Sequence, residues 1–87
     1  MRLELGVVVA TPGAIEVLAP GEALALLRRH QSGDWGRVDA HDRRENELSV
    51  KRGFRVLSSY VAASGAKVWV ITEADRSSTC ILLPEEY

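Results

Sequence analysis

From Phe54 to Leu83 the chain reads FRVLSSYVAASGAKVWVITEADRSSTCILL. Two polar interruptions divide it into three runs of β-branched and aromatic residues. Such runs, bounded by glycine and polar clusters, are strand signals. They predict strands over Phe54–Ala62, Lys67–Thr72 and Ser78–Leu83. The loop Ala63-Ser64-Gly65-Ala66 closes the first hairpin, and Glu73 to Ser77 makes a polar turn. Pro84 ends the last strand. A three-stranded meander is therefore the fixed part of any fold this chain adopts.

The amino-terminal half must supply what covers the meander. Leu3 to Ala10 holds Val7, Val8 and Val9 in a row and predicts a first strand buried on both faces. Thr11-Pro12 then starts a helix. Threonine can cap the free N–H groups, and proline at the first helical position loses no hydrogen bond there. That helix runs from about Pro12 to Leu18 and stops at Pro20-Gly21. Glu22 to His30 is a second helix with Leu24, Leu26 and Leu27 on its apolar face. Arg28, Arg29 and His30 fall in its last turn, where cations suit the helix dipole. Asp34-Trp35-Gly36 is a turn. Asp39 caps a third helix, Ala40 to Arg52, with Asp42 three residues on and Gly53 as its stop. The order β-α-α-α-β-β-β predicts one α+β domain over residues 1–87. Its expected form is an antiparallel four-stranded sheet with helices on one face.

Composition removes several function classes. The chain is 46% hydrophobic and 26% charged, which fits a packed globule rather than a disordered tail. Formal net charge is -1, so no global basic field attracts nucleic acid. Cys80 is the only cysteine, so neither an intrachain disulfide nor a multi-thiolate zinc site can form. A lone thiol suits a reducing compartment. The start lacks the apolar h-region of a secretory signal, and no run approaches the ~20 apolar residues of a membrane span. The expectation is a cytoplasmic protein, without cofactor or metal, monomeric or homodimeric through an open sheet edge.

The third helix, AHDRRENELSVKR, is the unusual element. Leu48 and Val50 are its only large apolar residues, and a spacing of two makes no helical stripe. Such a helix gains little at about 25 cal/mol per Å2 of buried apolar area. Caps, ion pairs such as Arg43–Glu47 and Glu47–Lys51, its neighbours or a partner must hold it. With the preceding turn it gives the candidate partner-binding residues Asp34, Trp35, Arg43, Arg44 and Glu47. Tryptophan and arginine are favoured at the centres of interfaces. Against this, in a chain with one phenylalanine and two tryptophans the first expectation for Trp35 is a loop anchor packed back on the core.

Two other chemistries compete for the same stretch. Asp34, His41, Asp42 and Glu45 could serve a small hydrolase or nuclease if folding gathers them. Yet His30 and His41 have no helical ligand spacing, and no HExxH, GxSxG or phosphate-binding glycine loop occurs. Arg28, Arg29, Arg37, Arg43, Arg44, Lys51, Arg52 and Arg55 form a local basic bias suited to nucleic acid. Interleaved acids offset that bias within a Debye length of about 8 Å.

Several longer stretches carry a resemblance: ATPGA (Ala10–Ala14), HxSGDWG (His30–Gly36), ENE (Glu45–Glu47), LSSY (Leu57–Tyr60), WVITEADRS (Trp69–Ser77) and ILLPEEY (Ile81–Tyr87). On these motifs the chain resembles a family of small bacterial proteins labelled plasmid-related or hypothetical, carried on chromosomes, plasmids and integrative elements. The resemblance implies an association with mobile elements but no particular activity. Some family members bear a type I restriction methylase label. This chain lacks the Asn-Pro-Pro-Phe or Asp-Pro-Pro-Tyr motif, the glycine-rich cofactor loop and the length of a methyltransferase. The resemblance further implies that the Asp34–Trp35 turn, Glu45-Asn46-Glu47 and the polar group Glu73, Asp75 and Arg76 form one signature. The resulting expectation is a non-enzymatic accessory protein that docks on a larger protein, such as a defence or nucleic-acid-processing enzyme.

Overall fold

The computed structural model describes residues 3–87. Strand β1 (Val7–Ala10) leads into helices α1 (Pro12–Val17), α2 (Glu22–Gln31) and α3 (Ala40–Arg52). Strands β2 (Val56–Val61), β3 (Lys67–Thr72) and β4 (Ser78–Leu82) follow, and a 3-10 turn spans Pro84–Glu86. No helix is long and apolar enough to cross a membrane among these residues.

Local signals act where the sequence places them. Thr11 Oγ1 accepts the Ala14 N–H at 3.2 Å, and Asp39 Oδ1 accepts the Asp42 N–H at 2.8 Å. Gly53 ends α3 in a left-handed conformation (φ 77°), donating to the Ser49 carbonyl. Each cap satisfies backbone groups that the helix itself cannot.

The sheet order is β1-β4-β3-β2, and the meander β2-β3-β4 is antiparallel as expected. The sheet as a whole is mixed, however, because β1 pairs parallel with β4, Val7 opposite Ser78 and Ala10 opposite Ile81. The helices between β1 and β2 carry the chain back far enough for β1 to take either direction. The expectation that the first strand is buried on both faces is also wrong. β1 is an edge, and Val7, Val8 and Val9 are 67%, 43% and 49% exposed. Leu3 and Leu5, expected in that strand, instead cross the end of the sheet: Leu3 exchanges hydrogen bonds with Gln31, and the Leu5 carbonyl accepts the Thr79 hydroxyl.

One face of the sheet carries the core. Ala14 of α1 and Leu26 of α2 pack with Tyr60, Ala62, Val68, Val70 and Ile81. A second, smaller cluster joins Leu3, Trp35 and Val56 with the partly buried Leu5, Val38 and Val50. The polar helix α3 is held by that cluster on its Val50 side and by caps at both ends. The carboxyl-terminal turn ties down the start of α1, since Glu86 accepts the Thr11 hydroxyl and the Leu83 N–H.

Candidate functional site

The chain from His30 to Arg37 turns off the end of α2 and touches the outer edge of β2. Ser59 N–H donates to the Trp35 carbonyl at 3.0 Å, and Arg37 N–H donates to the Ser59 carbonyl. Gly36 thus makes a single parallel bridge with Ser59. Its φ is 73°, and a Cβ there would collide with the Ser59 carbonyl and come within 2.6 Å of the Tyr60 ring. Gly53 has a similar φ of 77° with nothing within 4 Å. Gly36→Ala is therefore expected to destabilise the fold by about 1–3 kcal/mol more than Gly53→Ala. The midpoints of urea unfolding measure the difference; equal losses would show that the turn can retreat from β2.

Asn46 continues the cover of β2. Its Nδ2 donates to the Leu57 carbonyl at 2.7 Å, and the Leu57 N–H donates to its Oδ1 at 3.2 Å. A side-chain amide here does the work of a neighbouring strand. Two outward-facing residues of β2, Leu57 and Ser59, are thereby paired.

The structure brings some of the expected signature residues together and leaves others apart. Trp35 is 2% exposed, and its Nε1–H donates to Glu47 Oε2 at 2.7 Å. Asp34 pairs with Arg29 at 2.7 Å and accepts the Gly36 N–H. The hydrogen bond from Arg29, more than any other influence, holds the Asp34 carboxyl below its usual range; the Arg43 charge adds to this. Both partners are about half exposed, so the pair contributes at most about 1 kcal/mol. Arg43 and Arg44 lie exposed on α3.

The turn after β3 reaches the far end of α3. Arg76, at φ 62°, donates to the Ser49, Phe54 and Glu73 carbonyls and so completes the α3 C-terminus. Asp75 accepts the Ser77 N–H within its own turn. Glu73 pairs with Arg55 at 3.2 Å, and Arg55 also donates to the Tyr87 hydroxyl. The polar group therefore contacts the end of α3 through Arg76, but Glu73 and Asp75 stand apart from Trp35 and Glu47.

Behind the turn lies a buried polar chain that sequence reasoning missed. Thr79 donates its hydroxyl hydrogen to the Leu5 carbonyl at 2.8 Å. A hydroxyl has one hydrogen, so its 2.7 Å contact with Thr72 must be donation by Thr72. That leaves His30 Nε2 as the donor to Thr72 Oγ1 at 2.9 Å. His30 Nδ1 then accepts the Ser58 hydroxyl at 2.5 Å. The network assigns a neutral Nε2–H imidazole. Burial, with the Arg76 charge as a second cause, lowers its pKa to about 4. His30 thus sits in the last turn of α2 as read, but uncharged, so it does not serve the helix dipole there. Ser58, Thr72 and Thr79 are fully buried and offer no nucleophile to a substrate.

Two hollows open beside the turn. A bay of about 300 Å3 is lined by Arg29, Asp34, Gly36, Arg37, Tyr60 and Val61. The Arg29 guanidinium lies over the Tyr60 ring at 4.5 Å, and the phenol donates to the Asp34 carbonyl. Burial pushes the Tyr60 hydroxyl up to about 12. A smaller hollow of about 170 Å3 is lined by Val38, Asp42, Glu45, Asn46 and Leu57. Nothing matches this chain: no family model, no curated protein and no solved structure. The geometry alone therefore describes the site. Asp42 and Glu45 share one hollow, Asp34 lines the other, and His41 lines neither. Among the described residues, no three His, Cys, Asp or Glu side chains come together as metal ligands. Arg29 and Arg37 belong to the basic bias and Tyr60 to LSSY, but no sequence signal brings the three to one bay.

Proposed function

We propose that this chain is a small non-enzymatic accessory protein that binds another protein through the turn and the exposed face of α3. One observation carries this reading. Trp35 is buried and donates to the exposed Glu47, Arg29 pairs with the exposed Asp34, and Arg37, Arg43 and Arg44, close by in the chain, are all exposed. None of these three guanidinium groups has an ion-pair partner among the described residues. Exposed, unpaired arginines suit an acidic protein surface, since charge complementarity steers encounter and sets orientation. Such a partner could be a defence or nucleic-acid-processing enzyme. The link to mobile elements and the cytoplasmic setting rest on the sequence resemblance and the cysteine content.

The rival hydrolase or nuclease needs Asp34, His41, Asp42 and Glu45 in one cleft, and they are divided between two hollows and open surface. The nucleic-acid reading uses the same arginines. It predicts a mobility shift with steep salt dependence.

The test is affinity purification from the host of the wild type and the double variant Arg43→Glu, Arg44→Glu. Both positions are exposed, so the unfolding free energy should change by less than about 0.5 kcal/mol per substitution. The expected outcome is a stoichiometric partner protein with the wild type and its loss with the variant. A partner retained equally by both would remove this face from the reading.

A further inference from the structure

The two edges of the sheet are treated differently. On β2 the outward backbone groups of Leu57 and Ser59 are paired by Asn46, Trp35 and Arg37. On β1 nothing similar exists among the described residues. The N–H groups of Val7 and Thr11 donate to Ser77 and Ile81 of β4, each at 3.0 Å. Backbone direction alternates along a strand, so Val8 and Ala10 turn their N–H and C=O groups outward. The three valines beside them are exposed, and Val7–Ala10 contains no charge, no proline and no bulge. These are the devices that usually protect an edge.

We propose that β1 pairs with β1 of a second copy of this chain, antiparallel about a two-fold axis through Val9. The bounds of the strand favour this occupant. Gly6, at φ 64°, ends the extended segment on one side and Pro12 on the other. The stretch between them, residues 7–11, is centred on Val9. In that register Val8 exchanges two hydrogen bonds with Ala10 of the second copy, and Ala10 with Val8. Val9 meets its own counterpart. Two uncharged edges approach without repulsion, whereas an acidic or basic partner finds no complementary charge on this strand. Each chain has one such bare strand, so assembly closes at two copies and forms a continuous eight-stranded sheet.

Area sets the strength of the pair. A standard interface covers about 800 Å2 per partner, roughly a sixth of the 5179 Å2 this chain exposes. Five residues of strand fall short of that alone. Ile15 of α1 is 63% exposed and follows β1 closely in the chain. The dimer is therefore reversible and concentration-dependent.

Sedimentation equilibrium of the purified chain tests this from low micromolar to millimolar concentration. The expected result is a mass that rises from 9.5 kDa to twice that value and no further. Val9→Lys sets two ammonium groups face to face at the axis and should stay monomeric throughout, with unchanged circular dichroism. Should that variant misfold, amide exchange on the wild type still decides. Val8 and Ala10 N–H groups should exchange more slowly at high concentration than at low. A wild type that remains monomeric, growth beyond two copies, a Val9→Lys chain that dimerises normally, or exchange at Val8 and Ala10 independent of concentration would each overturn the proposal.

Discussion

Trp35→Ala should destabilise the domain by about 3–5 kcal/mol, the range for removing a buried tryptophan side chain. The ring is 2% exposed, packs with Leu3 and Val56, and meets the His30 ring edge-on at 5.8 Å. Its loss would empty the smaller core cluster and leave Glu47 without the indole N–H. A domain of this length has a total stability of roughly 4–13 kcal/mol, at about 0.05–0.15 kcal/mol per residue. The variant would therefore unfold at much lower urea, or fail to fold. Trp35→Phe keeps most of the packing and should lose only about 1–2 kcal/mol. Urea titration followed by circular dichroism separates the two. If Trp35→Ala were as stable as the wild type, the ring would not be the anchor described here. The same burial means that lost partner binding in Trp35→Ala reports unfolding; the exposed arginines are the informative positions.

Acid should weaken the fold through His30 in a defined window. Its pKa is lowered to about 4 in the folded chain, against about 6.5 when unfolded. Above pH 6.5 both states hold a neutral ring, and the residue has no pH effect. Between pH 6.5 and 4 the unfolded chain binds a proton that the folded chain does not, so stability falls as pH falls. Below pH 4 both states are protonated and the loss levels off, at about 3 kcal/mol in all. Asp34, Glu22 and Glu86, whose carboxyl groups are held below their usual range by hydrogen bonds, lose their contributions at lower pH. They therefore leave the upper window to histidine. His30→Gln removes the titration and should flatten the profile between pH 6.5 and about 5, above the carboxyl range, although the variant starts less stable. Urea midpoints at half-unit pH steps measure both. A wild-type profile that is flat from pH 7 to 5 would mean the ring is charged or solvated, against the network assigned here.

Elements with local causes were legible in the sequence. The bounds of α3 follow from Asp39 and Gly53, residues whose effect stays within one turn of chain, and the meander follows from its own interruptions. Features with causes distant in sequence were not. Val7-Val8-Val9 reads as a buried strand because an apolar run carries no alternation to show which side is open. Its direction depends on β4, some seventy residues away. Arg28-Arg29-His30 fits a cationic helix end equally well whether the imidazole faces water or Ser58 and Thr72. The Trp35–Glu47 contact joins the turn to ENE and the Asn46 amide joins ENE to β2, but nothing in the residue types announces either pairing. By its polarity the turn that holds Arg76 is a hairpin tip whose charges can be solvated or reach across to α3, and only the carbonyls of Ser49 and Phe54 beneath the guanidinium decide for the second.

The partnership of β1 with β4 also governs how quickly the sheet can be completed. The meander needs only short loops to close, and its hairpins can form within microseconds. Val7 must instead find Ser78, some seventy residues along the chain, before any ladder bond compensates the lost freedom. During synthesis the valine strand leaves the ribosome before β4 and stays without that partner until β4 emerges. That interval is when this chain is most exposed to chaperones and to unwanted self-association.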